Sequence, residues 1–152
     1  MVADLTGLPI SNASLLDDAT AAAEAFKMAH THCREKRTKF FVASDCHPQV
    51  IGCVQMRAKL QGVEVVVGDP ATTDFSTKEY SGCLVQYPNT YGTLRDFKSV
   101  SDNVHKSGGL FIAASGTPSS GPFTPRSPRP HRRQAPQRVR RRCLHRFHPE
   151  IR

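Results

Sequence analysis

Lys39-Phe-Phe-Val-Ala-Ser-Asp-Cys-His-Pro48 is the stretch that decides the architecture. Its first five residues form a short apolar run without alternation, the pattern of a strand buried on both faces. Ser44-Asp45 closes the run in a polar turn, and Pro48 suits the first turn of a helix, where its missing N–H would have no partner anyway. The helix is expected over residues 48–61, with Val50, Ile51, Val54, Met56 and Leu60 mostly inward and Gly62 as its stop.

Upstream, Leu15, Leu16, Ala19, Ala22, Ala23, Phe26 and Ala29 draw one apolar stripe along a helix spanning residues 14–33. Ser14 suits its N-cap, with Asp17 and Asp18 in the first turn, where acids complement the helix dipole. Downstream, residues 63–67 are rich in β-branched side chains and end at Gly68-Asp-Pro70, a strand and a turn. Residues 82–86 read as another apolar strand, ended by Tyr87-Pro-Asn-Thr90. A helix over 94–106, Gly108-Gly109 and a strand over 110–114 complete the series. The order α-β-α-β-β-α-β with continuously apolar strands predicts an α/β fold: a mainly parallel sheet with flanking helices.

The composition changes abruptly after Ser115. The chain of 152 residues carries a formal charge of +8, yet residues 116–152 hold ten arginines, no lysine and a single acid, Glu150, which leaves residues 1–115 nearly neutral. Seven of the eleven prolines also lie in that tail. Such a segment buries too little apolar surface to offset chain entropy, so residues 1–115 are expected to fold and 116–152 to form a disordered Pro/Arg-rich tail. Cys33, Cys46, Cys53, Cys83 and Cys143 are odd in number and follow no paired spacing, which reads as reduced thiols rather than a disulfide framework. No apolar run is long enough to span a membrane. Met1-Val-Ala-Asp-Leu5 has neither the Arg-rich character of a transit peptide nor the apolar core of a secretory signal.

Asn12-Ala-Ser14 precedes the first helix, a place where free amides gather an anion but also where capping residues belong. Asp45-Cys-His47 follows a strand, where an imidazole can stack on a ring or move a proton. Cys33, Cys46, His47 and Cys53 do not reproduce the paired spacing of a structural zinc site. Cys143-Leu-His-Arg-Phe-His148 carries potential ligand atoms inside the tail, and the arginines of residues 126–146 could track nucleic-acid phosphates.

Several stretches are similar to the N-terminal half of glycine cleavage system P proteins. They are Leu8-Pro-Ile-Ser-Asn-Ala-Ser-Leu-Leu-Asp-Asp-Ala-Thr-Ala-Ala-Ala-Glu-Ala25, Cys46-His-Pro-Gln49, Asp74-Phe-Ser76 and Ser81-Gly-Cys-Leu-Val-Gln-Tyr-Pro-Asn-Thr90, with the family's order and spacing from about residue 2 to 115. The resemblance implies part of the large domain of a fold-type I pyridoxal-phosphate (PLP) enzyme. The family is glycine dehydrogenase (aminomethyl-transferring), an oxidoreductase of glycine catabolism that decarboxylates glycine and passes the aminomethyl group to the lipoyl arm of the H protein. PLP serves as electron sink through a lysine Schiff base.

That lysine belongs to the family's C-terminal half, which this chain does not contain, so no catalytic, cofactor-binding or metal residue is expected here. Asn12, Ser14 and His47 stand at positions analogous to a phosphate cup and a ring-stacking histidine. By the same resemblance the partners are the H protein and a P-protein dimer partner, with no membrane. The compartment is the mitochondrial matrix for a eukaryotic source and the cytoplasm for a bacterial one.

After Leu110-Phe-Ile-Ala-Ala-Ser115 the family continues Asp-Leu-Leu-Ala-Leu, whereas this chain reads Gly116-Thr-Pro-Ser-Ser120. A change of reading frame would account for it: codons permitted for Thr124-Pro-Arg-Ser127, read one base later, give Pro-Pro-Gly, as the family has there. Three functions follow as expectations: an inactive P-protein fragment, a subunit-binding domain without catalysis, or a nucleic-acid arm carried by the arginines.

Overall fold

The computed structural model describes residues 2–3 and 8–115. The tail from residue 116, with Cys143, His145, His148 and the arginines, lies outside the described residues. The order is α1 (Asp18–His32), β1 (Lys39–Ala43), α2 (Pro48–Lys59), β2 (Glu64–Gly68), β3 (Tyr80–Gln86), α3 (Lys98–Lys106) and β4 (Leu110–Ala114). The four strands form one sheet in the order β2-β1-β3-β4, and every pairing is parallel.

The connectivity fixes where the helices lie. β1 reaches β2 through α2 in one direction, while β3 reaches β4 through α3 in the other. Right-handed crossovers then place α2 and α3 on opposite faces of the sheet. α1 packs beside α2 and across β3, so these two helices share a layer. Glu24 and Arg57 pair across them at 3.1 Å, and Lys27 donates to Gln61 Oε1 at 3.2 Å.

Alternating side chains of β1 feed both faces. Phe40 meets Phe26 of α1 edge-on, with ring centroids 5.0 Å apart. Phe41 points the other way, onto Phe75 at 5.2 Å and Tyr80 at 6.1 Å. Phe26, Phe40 and Phe41 are wholly buried, and Ala22, Ala23 and Ala29 let α1 lie close to the strands. β3 begins with a bulge: Lys39 aligns with Tyr80 but Phe41 with Cys83, leaving Ser81 and Gly82 opposite Phe40. The Ser81 hydroxyl donates to the Lys39 carbonyl at 3.1 Å, which satisfies it inside the core.

The N-terminal edge of the sheet is tied by Arg37. Its guanidinium donates to the carbonyls of Tyr80 and Ser107, both at 2.6 Å.

Several expectations shift by a few residues, each for a physical reason. α1 starts at Asp18, because Asp17, and not Ser14, is the N-cap: its extended backbone brings Oδ1 to 2.6 Å from the Thr20 N–H. Leu15 and Leu16 therefore precede the helix and are exposed. In α2 the inward row is Val50, Val54 and Ala58, four residues apart, which turns Met56 and Leu60 out to solvent. α3 begins at Lys98 rather than residue 94, because residues 87–97 are held in a loop by side-chain hydrogen bonds, and Leu94 is exposed.

The cap makes α1 sensitive to acid. The Asp17 carboxyl is held below its ordinary value chiefly by the hydrogen bond from the Thr20 backbone N–H. A carboxyl depressed on folding contributes stability above its unfolded pKa, near 3.8, and loses that contribution as pH falls through the folded value. Urea midpoints followed by helical circular dichroism at pH 7 and pH 3 should draw together for wild type and Asp17→Ala. Asp17→Asn, which caps without a charge, should lose less at pH 7 than Asp17→Ala.

Candidate functional site

A parallel α/β sheet gathers its chemistry at the carboxyl ends of the strands, in the crevice where the connection direction reverses. Here that point lies between β1 and β3. The turn after β1 and the loop after β3 meet at it.

The turn after β1 is short. Ser44 N–H donates to the Gly68 carbonyl at 2.8 Å, Cys46 N–H to the Ala43 carbonyl at 3.1 Å, and the chain enters α2 at Pro48. His47 stands at the N-cap position without a capping side-chain bond. Its own N–H donates to Gln86 Oε1 at 2.7 Å, and its ring Nδ1 lies 3.1 Å from the Thr90 hydroxyl. Two residues from the far side of the crevice therefore hold His47, Gln86 its backbone and Thr90 its ring.

Residues 89–93 are turned by one side chain. The Asn89 Oδ1 accepts the N–H groups of Tyr91 at 3.0 Å and Thr93 at 2.8 Å, while Nδ2 donates to Asp45 Oδ2 at 2.8 Å. Thr90 N–H adds a bond to the Asp45 carbonyl at 3.0 Å. Arg95 spans outward from the same loop, 3.1 Å from Asp69 Oδ1 and 3.7 Å from Asp45 Oδ2, with its guanidinium 6.0 Å from the Phe97 ring centroid. The Asp69 carboxyl is held below its usual range first by the Ala71 N–H and then by Arg95. Asn89 is thus a latch joining the loops after β1 and β3.

Removing the latch leaves its partners without their bonds. Asn89→Ala should cost about 1–3 kcal/mol, since two backbone donors and the largely buried Asp45 carboxylate each lose a partner. A chemical-denaturation midpoint measures that cost. The Thr90–His47 contact should loosen at the same time, which the His47 ring resonances would report.

A hollow of about 730 Å³ opens at this end, walled by α1 through Asp18, Ala21, Ala22 and Ala25, by His47, by Gln86 and Thr90, and by Ile112 and Ala114 of β4. Asn12 and Ser14 are not part of its wall: both are exposed, and the Ser14 hydroxyl reaches only the Leu15 carbonyl, at 3.4 Å. Of the three positions the resemblance singled out, the structure brings His47 alone to the hollow.

The anion-binding end of α1 is already closed. The Asp17 carboxylate takes the Thr20 N–H that a phosphate would use, and Asp18 adds a second acid in the first turn. Two carboxylates at a helix N-terminus repel a phosphate dianion. Among the described residues walling the hollow there is no lysine to carry an imine. The donor set therefore does not fit PLP.

The Cys46 thiol is pushed up to about 12, chiefly by burial and then by the Asp45 charge, so it offers no thiolate at neutral pH. Burial likewise raises Cys83. The ring nitrogen of His47 that is fixed meets a hydroxyl; of the nearby Asp45 carboxylate, Oδ2 is engaged by Asn89 and Arg95, while Oδ1 is buried without a hydrogen-bond partner among the described residues. No group of three or more His, Cys, Asp or Glu side chains suited to a metal occurs among the described residues. No helix among them is long and apolar enough to cross a membrane.

Sequence reasoning passed over Asn89, Gln86 and Arg95. The usable signal was Asn89 itself, in the run that ends β3, because an Asn side chain readily mimics a backbone turn.

Comparison with known proteins agrees with this architecture. Residues 1–119 match the family model of the glycine cleavage system P-protein. Over 114 residues the chain is 52% identical to mouse glycine dehydrogenase (decarboxylating), mitochondrial, covering 75% of this chain and 11% of that protein. The corresponding human protein is 49% identical over 114 residues, again covering 75% and 11%. Glycine dehydrogenase (decarboxylating) of Cereibacter sphaeroides is 50% identical over 114 residues, covering 75% and 12%. A crystal structure of glycine decarboxylase (P-protein) of the glycine cleavage system, in inhibitor-bound form, superposes with a TM-score of 0.70 at 29% identity, over 79% of this chain and 28% of that one. The chain thus spans only about a ninth of the length of these curated relatives.

Proposed function

Since the chain belongs to the glycine cleavage system P-protein family, we propose that residues 1–115 are part of the N-terminal half of a glycine decarboxylase and do not catalyse by themselves. In the whole enzyme the reaction is PLP-dependent decarboxylation of glycine with aminomethyl transfer to the lipoyl H protein, and the working partners are that protein and a second P-protein chain. The observation that carries the inactive reading is the pair Asp17 and Asp18 at the N-terminus of α1, where a cofactor phosphate would have to sit.

The test is direct. The purified chain, supplied with PLP and lipoylated H protein, should release no carbon dioxide from glycine above background, and should emerge from gel filtration without the cofactor's visible absorbance. Turnover that tracked the chain's concentration would overturn the proposal. A separate proposal is that the fold ends near Ser115 and that a change of reading frame produced residues 116–152. Sequencing the transcript across the codons for residues 114–118 decides it. A continuous frame as written would sink the frame change.

A second reading is that the domain docks onto an intact P protein. β4 is an edge strand, and beside it Leu94, Phe97 and Phe111 line an open hollow of about 650 Å³. Co-purification with a full-length family member would support docking, and its failure at micromolar concentrations would remove it. The proposed compartment is the mitochondrial matrix if the source is eukaryotic, the mouse and human relatives being mitochondrial, and the cytoplasm if it is bacterial.

A further inference from the structure

We draw no further inference here: the strongest candidate, the outer edge of β4 with the apolar hollow of Leu94, Phe97 and Phe111 beside it, is an unpartnered face, and nothing in the structure shows what covers it.

Discussion

Gly82→Val should destabilise the chain by roughly 3 kcal/mol or more and move its urea midpoint far down. Gly82 lies in the bulge of β3, where α1, β1 and β4 converge. A Cβ there would stand 2.7 Å from the Leu110 carbonyl oxygen, 3.1 Å from the Phe40 ring and 3.2 Å from the Ala29 methyl. The first of these is backbone and belongs to the residue paired with Gly82 across the sheet, so relief requires β4 to move. The second and third are core groups with no exposure. Overpacking of a tight core costs about 1–3 kcal/mol per change, and valine's two further methyl groups push the total to roughly 3 kcal/mol or more. That is a large share of the about 5–15 kcal/mol that holds a domain together.

Gly52 supplies the control. It sits inside α2 with nothing within 4 Å of its notional Cβ. Gly52→Ala should raise stability by about 0.5–1 kcal/mol, because alanine is the better helix former and loses less freedom on folding. Opposite signs at two glycines, measured by urea unfolding, would identify close approach as the cause. If Gly82→Ala proved neutral, the packing described for β3 would be wrong.

Phe41→Ala is the second large effect, at about 3–5 kcal/mol. The ring is wholly buried and meets Phe75 and Tyr80 edge-on, with interplanar angles of 85° and 83°. Phe75 lies in the connection between β2 and β3, which crosses the sheet face opposite α1 and α2 without a helix of its own. Phe41 is therefore the anchor for a cover made of loop, and the vacated space has little regular structure able to collapse into it. Phe41→Leu keeps most of the volume and should cost roughly 1.5 kcal/mol. The chain has no tryptophan and three tyrosines, so with Tyr87 and Tyr91 replaced by Phe the emission of Tyr80 is a local reporter. Its response to Phe41→Ala should exceed that to an equally destabilising change on α1.

The sheet was legible because its strands are continuous apolar runs. β1 and β4 occupy the residues their hydrophobicity marks, 39–43 and 110–114, and Gly62 turns the chain after α2 with a positive φ of 68°. What could not be read was competition between neighbours of similar type. Ser14 and Asp17 are both good caps, and only the docking of Ala22, Phe26 and Ala29 on the sheet selects where the first turn begins. Periodicity likewise assigned Met56 and Leu60 to the inner face, whereas the narrow gap between α2 and the sheet is filled by Val50, Val54 and Ala58. Residues 80–81 escaped notice as strand because a bulge interrupts the register. The site was least legible. Asn89 gains its role from Asp45, 44 residues away in the chain, and no local pattern announces a bond across the crevice.

α3 is held differently from the other helices. It rests on β4 through Val100 and Val104, and its C-terminal end is tied where Arg37 grips the Ser107 carbonyl. Local opening free energies follow the number of such anchors. α3 has fewer of them than α1 or α2, and the Arg37 guanidinium, bound to the carbonyls of both Tyr80 and Ser107, is the clasp that joins the end of α3 to the start of β3.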